Sequence, residues 1–226
     1  SLWDLKWRPS CPDPRGMTLV ADTFWCDIYL LGVDHHTNGT SRHGVTIADG
    51  GSPPKVPTLF GGNGSTTYAL TQFAAGEIMK SAGKSLLDYA EFSAAAYGVT
   101  EAVQRGTDPV TTGLSNNNVG SSNADEKFTS KWGVVQAAGC MWTWGRDFSY
   151  RADGADAAAI TGWSWKGLGR GSAYTQNTTG LVAALWGGSW ANGSYCGSRA
   201  SSWDVYPWNS STYIGGRGRA DHIRLP

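Results

Sequence analysis

Few residues in this chain carry the side chains that chemistry requires. Asp34, His35 and His36, with His43 nearby, have the donor types of a metal site, and Asp221 with His222 could be two members of a hydrolytic triad. Neither set carries through. The histidines lie in "DHHTNGTSRHG", a polar, glycine-containing stretch that reads as a loop. No G-x-S-x-G elbow or other activated nucleophile accompanies Asp221 and His222. Cysteines 11, 26, 140 and 196 form no C-x-x-C pair and no zinc spacing. Cys11 and Cys26 could pair across a short loop, and free, half-buried thiols are the favoured alternative. A calcium-dependent sugar site needs clustered acidic and amide oxygens, and the C-terminal region offers only Asp204 and scattered asparagines. The residue types therefore predict no catalytic residue, no metal ligand and no cofactor, with room left for a structural divalent ion.

Recognition is a better match for the last forty or so residues, "GGSWANGSYCGSRASSWDVYPWNSSTYIGGRGRADH", from Gly187 to His222. Gly187, Gly188, Trp190, Arg199, Trp203, Pro207 and Gly215 to Gly218 read as scaffold. Between them stand Ser189, Ala191, Asn192, Tyr195, Ser202, Asp204, Val205, Tyr206, Asn209, Ser211 and Tyr213, which share no chemistry. Tyr, Ser, Asn and Asp dominate that second group, and binding loops use this mixture: tyrosine gives rigid contact area, serine and asparagine give adaptable hydrogen bonds. A surface that must accept many side chains cannot rely on them for stability. Tryptophans that each bury roughly 150–250 Å² and glycines at tight turns can hold the backbone instead. Arg199 is expected to join them, its five donors tying loop carbonyls or Asp221.

The elements that must position this surface are mostly strands. Eighteen basic residues balance eighteen acidic ones, so no long-range field selects for nucleic acid or an anionic membrane. No apolar run is long enough to span a bilayer. The chain opens without a signal-like segment, in what reads as an already structured stretch, which leaves open whether upstream parts are missing. Glycine is 31 of 226 residues, about 14% against a usual value of roughly 7%, and there are twelve tryptophans. Such a composition implies tight turns pinned by aromatic side chains rather than long helices.

The opening reads as a strand, a Pro-rich turn, and one or two more strands through "MTLVADTFWCDIYLLG"; "VPTLFGGNGSTTY" reads as another short strand and a glycine turn. Two segments have helical periodicity. From Thr67 to Gly83, Leu70, Phe73, Ala74, Ile78 and Met79 share a face and Gly83 is the stop; in "SLLDYAEFSAAAYGVTEA" the face is Leu86, Tyr89, Phe92, Ala96 and Tyr97. Residues 105–127 are polar and Asn/Ser/Gly-rich, a surface insertion within one domain spanning 1–226. From Trp132 onward, "KWGVVQAAGCMWTWGRDFSYR", "TGWSWKGLGRGSAY" and "GLVAALWGGSW" read as short strands split by turns, with "RADGADAAAI" a loop or a single helical turn. Helices early and strands elsewhere make an α+β domain. The N-x-S/T sequons at Asn38, Asn63, Asn177, Asn192 and Asn209 matter only in a eukaryotic secretory pathway, and two lie in the recognition segment.

The helix "GKSLLDYAEFSAAAYG", then "GCMWTWG", "GGSW" and a late "IGGRG", resembles the C-type lectin fold in the branch shared by formylglycine-generating enzymes and the variable proteins of diversity-generating retroelements. "SLWDLKWRP", "DPRGMTLVADTFWCDIYLLGVDHHTNGTS", "FTSKWGVVQAAGCMWTWG", "ALWGGSW", "GSRA" and "GRGRADH" are similar, in this order, to receptor-binding members of that variable family from phage tail fibres, over about 1–222. The resemblance implies two helices, a small twisted antiparallel sheet and long irregular loops. It further implies adenine-directed substitution of codons in a hypervariable segment, about 187–218. The positions are Ser189, Ala191, Gly193, Tyr195, Ser202, Asp204, Val205, Asn209, Ser211, Tyr213, Ile214 and Gly216, with Trp190, Arg199 and Trp203 as scaffold. Varying both adenines of an AAC-type codon reaches all of these residue types and never tryptophan, and Trp190, Trp203 and Trp208 lie outside the set. Tyr206, Trp208 and Asn192 depart from the family pattern. The implied partner is a protein receptor on another cell, ahead of a glycan, met from a tail-fibre tip or a cell surface; assembly like the family's would be a homotrimer in the full-length protein. Formylglycine-generating oxidases instead place two redox-active cysteines shortly after "GGS", where this chain has only Cys196, with Asn192 at the first position. Such an oxidase and a fixed-specificity lectin are the alternatives.

Overall fold

The computed structural model describes residues 7–58, 61–65, 68–114, 126–151, 162–164, 169–175 and 180–224. Two sheets organise them. The first joins the two ends of the chain: β1 (Trp7–Pro9) pairs antiparallel with the last strand, β11 (Gly218–Arg224), which pairs on its other side with β3 (Phe24–Asp27), followed by β2 (Met17–Val20). The one or two strands read from the β-formers of this stretch are two, β2 and β3, joined as a hairpin whose turn holds Ala21 and Asp22 at φ 48° and 55°, the left-handed geometry that suits the twist of paired strands. The two-residue β4 (Ser85–Leu86) also pairs β11.

The second sheet runs in the order β10 (Ile214–Gly215), β5 (Trp142–Arg151), β8 (Gly180–Trp186), β9 (Ser201–Val205), β7 (Ala173–Thr175), β6 (Gly162–Ser164). The expected sheet was single and antiparallel. Two sheets form, and β10–β5 and β7–β9 pair parallel, because the C-terminal segment returns beside strands far from it in sequence. β5 shifts register against β8 between Trp144 and Phe148, and Gly145 lies in that irregularity. A Cβ there would meet the Trp186 indole at 2.5 Å, so the close approach requires glycine.

The helices form where expected but shorter. α2 (Gln72–Ser81) starts at Thr71, whose hydroxyl accepts from the Ala74 N–H at 3.1 Å, and ends before Gly83 at φ +70°. Ala74, Ile78 and Met79 are buried as predicted, but Phe73 turns outward, 51% exposed, and stacks on Phe148; Gln72 and Ala75 occupy the inward positions instead. α3 (Tyr89–Ala95) opens with a capping box, Asp88 accepting from Glu91 N–H and Glu91 from Asp88 N–H. It buries Phe92 and Ala95, and Tyr97 lies beyond its end, exposed.

Three expectations need correction. The histidine loop contains a single helical turn, α1 (His35–Asn38). Residues 56–58 form no strand, since Pro53, Pro54 and Pro57 remove the donors a ladder needs. Residues 131–140 are consecutive turns rather than a strand, yet Val134, Ala137, Ala138 and Cys140 are buried, with Gln136 at φ 53°. Of the predicted insertion, 115–125 lie outside the described residues. The part from 105 to 114 is stitched to 44–47 by Ile47 N–H to Val110 O at 2.9 Å and Thr112 N–H to Val45 O at 2.8 Å, so Thr112 is buried. "RADGADAAAI" lies almost wholly outside the described residues.

The core lies between the sheets and the helices. Trp186, fully buried, stacks on Phe92, meets Tyr89 and Trp203, and donates its indole N–H to Leu87 O at 3.1 Å. Beside it, Trp144 packs with Leu31, Ile78, Met79, Leu185 and Ile214. All four cysteines are buried free thiols, and Cys11 contacts Met17 rather than Cys26.

Candidate ligand-binding surface

The recognition segment begins where β8 ends. Gly187 and Gly188 have φ +98° and +84°, and a Cβ on Gly188 would stand 2.6 Å from the Cys196 sulfur. This contact keeps the loop tight against Cys196. Its thiol donates to Ser189 O at 3.3 Å, and burial pushes its pKa up to about 12. A thiol so shifted is almost wholly protonated at neutral pH and a poor nucleophile or metal ligand. Ser189 N–H and Oγ–H both donate to Asn192 Oδ1, at 2.8 and 2.6 Å, which fixes the turn carrying Trp190 and Ala191. Asn192, the departure from the family pattern, is thus part of the turn itself. Gly193–Tyr195 form a 3-10 turn, with Gly193 N–H held by Gln104 Oε1 at 2.5 Å. Glu101 accepts from Ser198 N–H and Oγ–H at 3.0 and 2.5 Å.

β9 then crosses between β8 and β7, and the chain returns through Tyr206–Tyr213 to β10 against β5. Ser189 bridges Cys140 and Ile214 pairs Trp142, so the two ends of the segment flank one stretch of chain. Above it, Trp190 and Tyr213 stack with centroids 4.4 Å apart and an interplanar angle of 14°. Tyr206 and Trp208 form a second parallel stack at 5.0 Å, with Trp208 58% exposed.

The predicted positions divide. Ala191, Asn209 and Tyr213 are exposed, and Gly193, Tyr195, Asp204, Val205 and Ser211 are half-buried. Ser189, Ser202, Ile214 and Gly216 face inward, contrary to the expectation of a displayed side chain. Strand register is the reason: Ser202 lies opposite Leu185 and Tyr174, Ile214 enters the Trp144 cluster, and the Gly216 carbonyl accepts from Leu31 N–H at 2.8 Å. Trp203 is half-buried on Trp186, and Trp190 packs on Leu30, Ile47 and Met141.

Arg199 does not anchor the loops. It is exposed, and Asp221 is taken by Arg219. The anchoring arginine is Arg217, 3% exposed, whose Nη1 donates to Asp27 O and Ile28 O, both at 2.8 Å, and whose Nη2 donates to Val135 O and Gln136 O at 2.7 and 3.1 Å. Beside it Lys84 Nζ lies 2.6 Å from Asp27 Oδ1, both side chains buried. Arg217 falls within the Gly215 to Gly218 stretch read as scaffold, but the sequence reading assigns it no role of its own; its setting between Gly216 and Gly218 is the available signal.

The residues with catalytic potential stay apart. His222 contacts Thr23 O, away from Asp221. His35 is buried, with burial pushing its pKa down to about 3, while His36 bonds Val33 O and His43 packs edge-on against Tyr29. Among the described residues no three His, Cys, Asp or Glu side chains cluster as a metal set.

No protein-family model matches the chain. Over 229 residues it is 51% identical to the tail fibre receptor-binding protein of Bordetella phage BPP-1, a match covering 100% of the chain and 56% of that protein. The chain belongs to this family of phage tail-fibre proteins. Its solved members agree in fold: the M1 variant of the Major Tropism Determinant superposes with a TM-score of 0.81 and the P3c variant with 0.80, each at 50% identity over 99% of this chain and 57% of theirs. The architecture is the α+β, C-type lectin fold of the tropism determinants. The chain spans little more than half the length of these relatives.

Proposed function

We propose that this chain is the receptor-binding domain of a phage tail-fibre protein, carried at the fibre tip, and that it recognises a protein receptor on the host cell through a surface diversified by a retroelement. The observation that carries this reading is a division of labour within one segment. Its backbone is held by Gly188 against Cys196, by Asn192, by Glu101 and by Arg217. Meanwhile Ala191, Gly193, Tyr195, Asp204, Val205, Asn209, Ser211 and Tyr213 remain at least partly open to solvent. Loops so held are preorganised, which reduces the entropy lost on binding. Ser189, Ser202, Ile214 and Gly216 act from beneath, through loop shape. In a trimer, weak single-site contacts would gain by avidity. The domain binds rather than catalyses and needs no cofactor. Sequencing the 3′ end of the gene across a phage population, with the DNA downstream, tests the reading. Substitutions confined to adenine-matched codons at the named positions, beside a near-copy repeat and a reverse transcriptase, are the expected result. A uniform segment with neither neighbour would sink diversification and leave a domain of fixed specificity.

A further inference from the structure

A cleft of about 520 Å³ opens on the outer face of α3, within the range of small-molecule sites, roughly 300–1,000 Å³. Tyr89, Ala90, Ser93, Ala94, Tyr97, Trp132, Arg170 and Arg199 line it. Ala90, Ser93 and Ala94 make a shallow floor along the helix, and Trp132 stands as a fixed wall because its indole N–H donates to Ala94 O at 2.8 Å. Its charge is one-sided. Among the described residues no carboxylate lines the cleft, and Asp88 and Glu91, at the start of the same helix, are taken by Arg146 and Arg219. Among the described residues neither Arg170 nor Arg199 has a carboxylate partner. The Arg170 guanidinium lies 5.4 Å from the Tyr97 ring centroid, and Lys131 Nζ lies 5.7 and 5.2 Å from the Tyr97 and Trp132 rings. In a chain with no net charge, this is a local excess of cations on aromatic walls.

We infer that this cleft binds a carboxylated sugar of the uronic acid kind, independently of the variable surface. A guanidinium presents paired donors that match a carboxylate, and a cation already held over a ring loses less freedom on binding. The rings of Tyr97 and Trp132 offer flat apolar area to the C–H face of a pyranose, and the small floor residues let the sugar ring lie close to the helix. Arg199 links the site to the recognition segment: its carbonyl accepts from Tyr89 O–H at 3.3 Å and its N–H donates to Arg170 O at 2.8 Å, so the cleft borders the segment without using its varied side chains.

The test is an NMR titration of the 226-residue chain with D-glucuronate, D-glucose, acetate and a hexa-aspartate peptide, following the Trp132 indole N–H. Saturable glucuronate binding is expected, with glucose and acetate each weaker by about ten-fold or more through loss of the charge-assisted pair or of the ring contact. Arg170→Gln and Arg199→Gln should each weaken glucuronate by a similar factor. Ala90→Leu, which fills the floor from its exposed side and removes no charge, should abolish binding with an unchanged near-ultraviolet spectrum. Trp208→Ala should leave glucuronate binding intact. Absence of saturable binding overturns the inference, as does equal binding of glucose or acetate, tighter binding of the peptide, or wild-type affinity in both arginine variants.

Discussion

Replacing Arg217 by methionine should be among the most destabilising single changes in this domain. The guanidinium donates to four backbone carbonyls, those of the buried Asp27 and Gln136 and the half-buried Ile28 and Val135. A buried acceptor left unpaired costs on the order of 1–3 kcal/mol, so four would cost roughly 4–12 kcal/mol before relaxation, less where Ile28 O keeps its bond from Val135 N–H at 2.8 Å. Relief from burying the charge offsets part of this, since desolvating an ion costs several kcal/mol in a protein interior. A net loss of about 3–5 kcal/mol remains, against a typical total stability of about 5–15 kcal/mol. Arg217→Lys keeps the charge but offers one ammonium in place of a planar fork, and should lose about 2–3 kcal/mol. Urea unfolding followed by tryptophan fluorescence measures both. The control is Asn209→Ala, on an exposed member of the same segment, which should stay within about 0.5 kcal/mol of wild type. If Arg217→Met falls within about 1 kcal/mol of wild type, or Asn209→Ala costs as much, the claim that the backbone is held independently of the displayed side chains fails.

The inward members of the predicted set should behave unlike the outward ones: Ile214→Asn, placed in the Trp144 cluster, should cost about 2–5 kcal/mol in the same assay, and a loss below about 1 kcal/mol would contradict its burial. The native thiols should resist 5,5′-dithiobis-(2-nitrobenzoate) at pH 8 and react fully in urea; ready native labelling of Cys196 would contradict its seating under Gly188. Burial raises Cys26 and Cys196 from 9.0 to about 12, so above pH 9 the unfolded chain loses protons that the native state keeps. Stability should therefore fall with rising pH by about 1.4 kcal/mol per unit for each group between those values, and a flat alkaline profile would refute the shifts. His35 has the opposite dependence: lowered from 6.5 to about 3, it stays neutral in the native state while the unfolded chain takes up a proton. Its contribution is complete above pH 6.5 and shrinks by about 1.4 kcal/mol per unit as pH falls toward 3, and His35→Asn should remove that part of the slope in acid unfolding.

Local signals made much of this fold legible. Gly83 stops one helix as read, and the caps that start the two helices, Thr71 and Asp88 with Glu91, act over a single turn and so are local in sequence too. The strands β2 and β3 were legible from their richness in β-formers, though not their pairing as a hairpin. What stayed hidden depends on neighbours remote in sequence. Val134 to Cys140 read as a strand because they are apolar and small, yet their backbone is irregular, and Arg217 satisfies the carbonyls of Val135 and Gln136 that no ladder takes. Phe73 sits at a core-facing period and turns outward because Gln72 claims the inner position, donating to Gly145 O at 3.2 Å. The tryptophans read as scaffold, Trp190 and Trp203, are half-buried on the core, while the fully buried ones, Trp186 and Trp144, are not singled out by residue type, and nothing in the residue types separates the exposed Arg199 from the buried Arg217.

The same distinction governs how diversity could act here. A side chain at Tyr213 or Asn209 changes what a ligand touches, whereas one at Ser189 or Ser202 changes what the loop rests on. Ser189 is the more sensitive of these, since its Oγ and N–H both hold Asn192, and a residue without the hydroxyl keeps only the backbone half of that turn. Gly216 has room for a Cβ, which would meet Leu31 at 3.4 Å and Met79 at 3.9 Å in ordinary van der Waals contact, but larger side chains must displace the core beneath it. Substitution at the inward positions would therefore shift loop geometry in a few discrete ways, while the outward positions supply the chemical variety. A surface built this way draws its chemical variety from outward positions at little cost to the domain that presents it, whereas change at the inward positions draws on that stability.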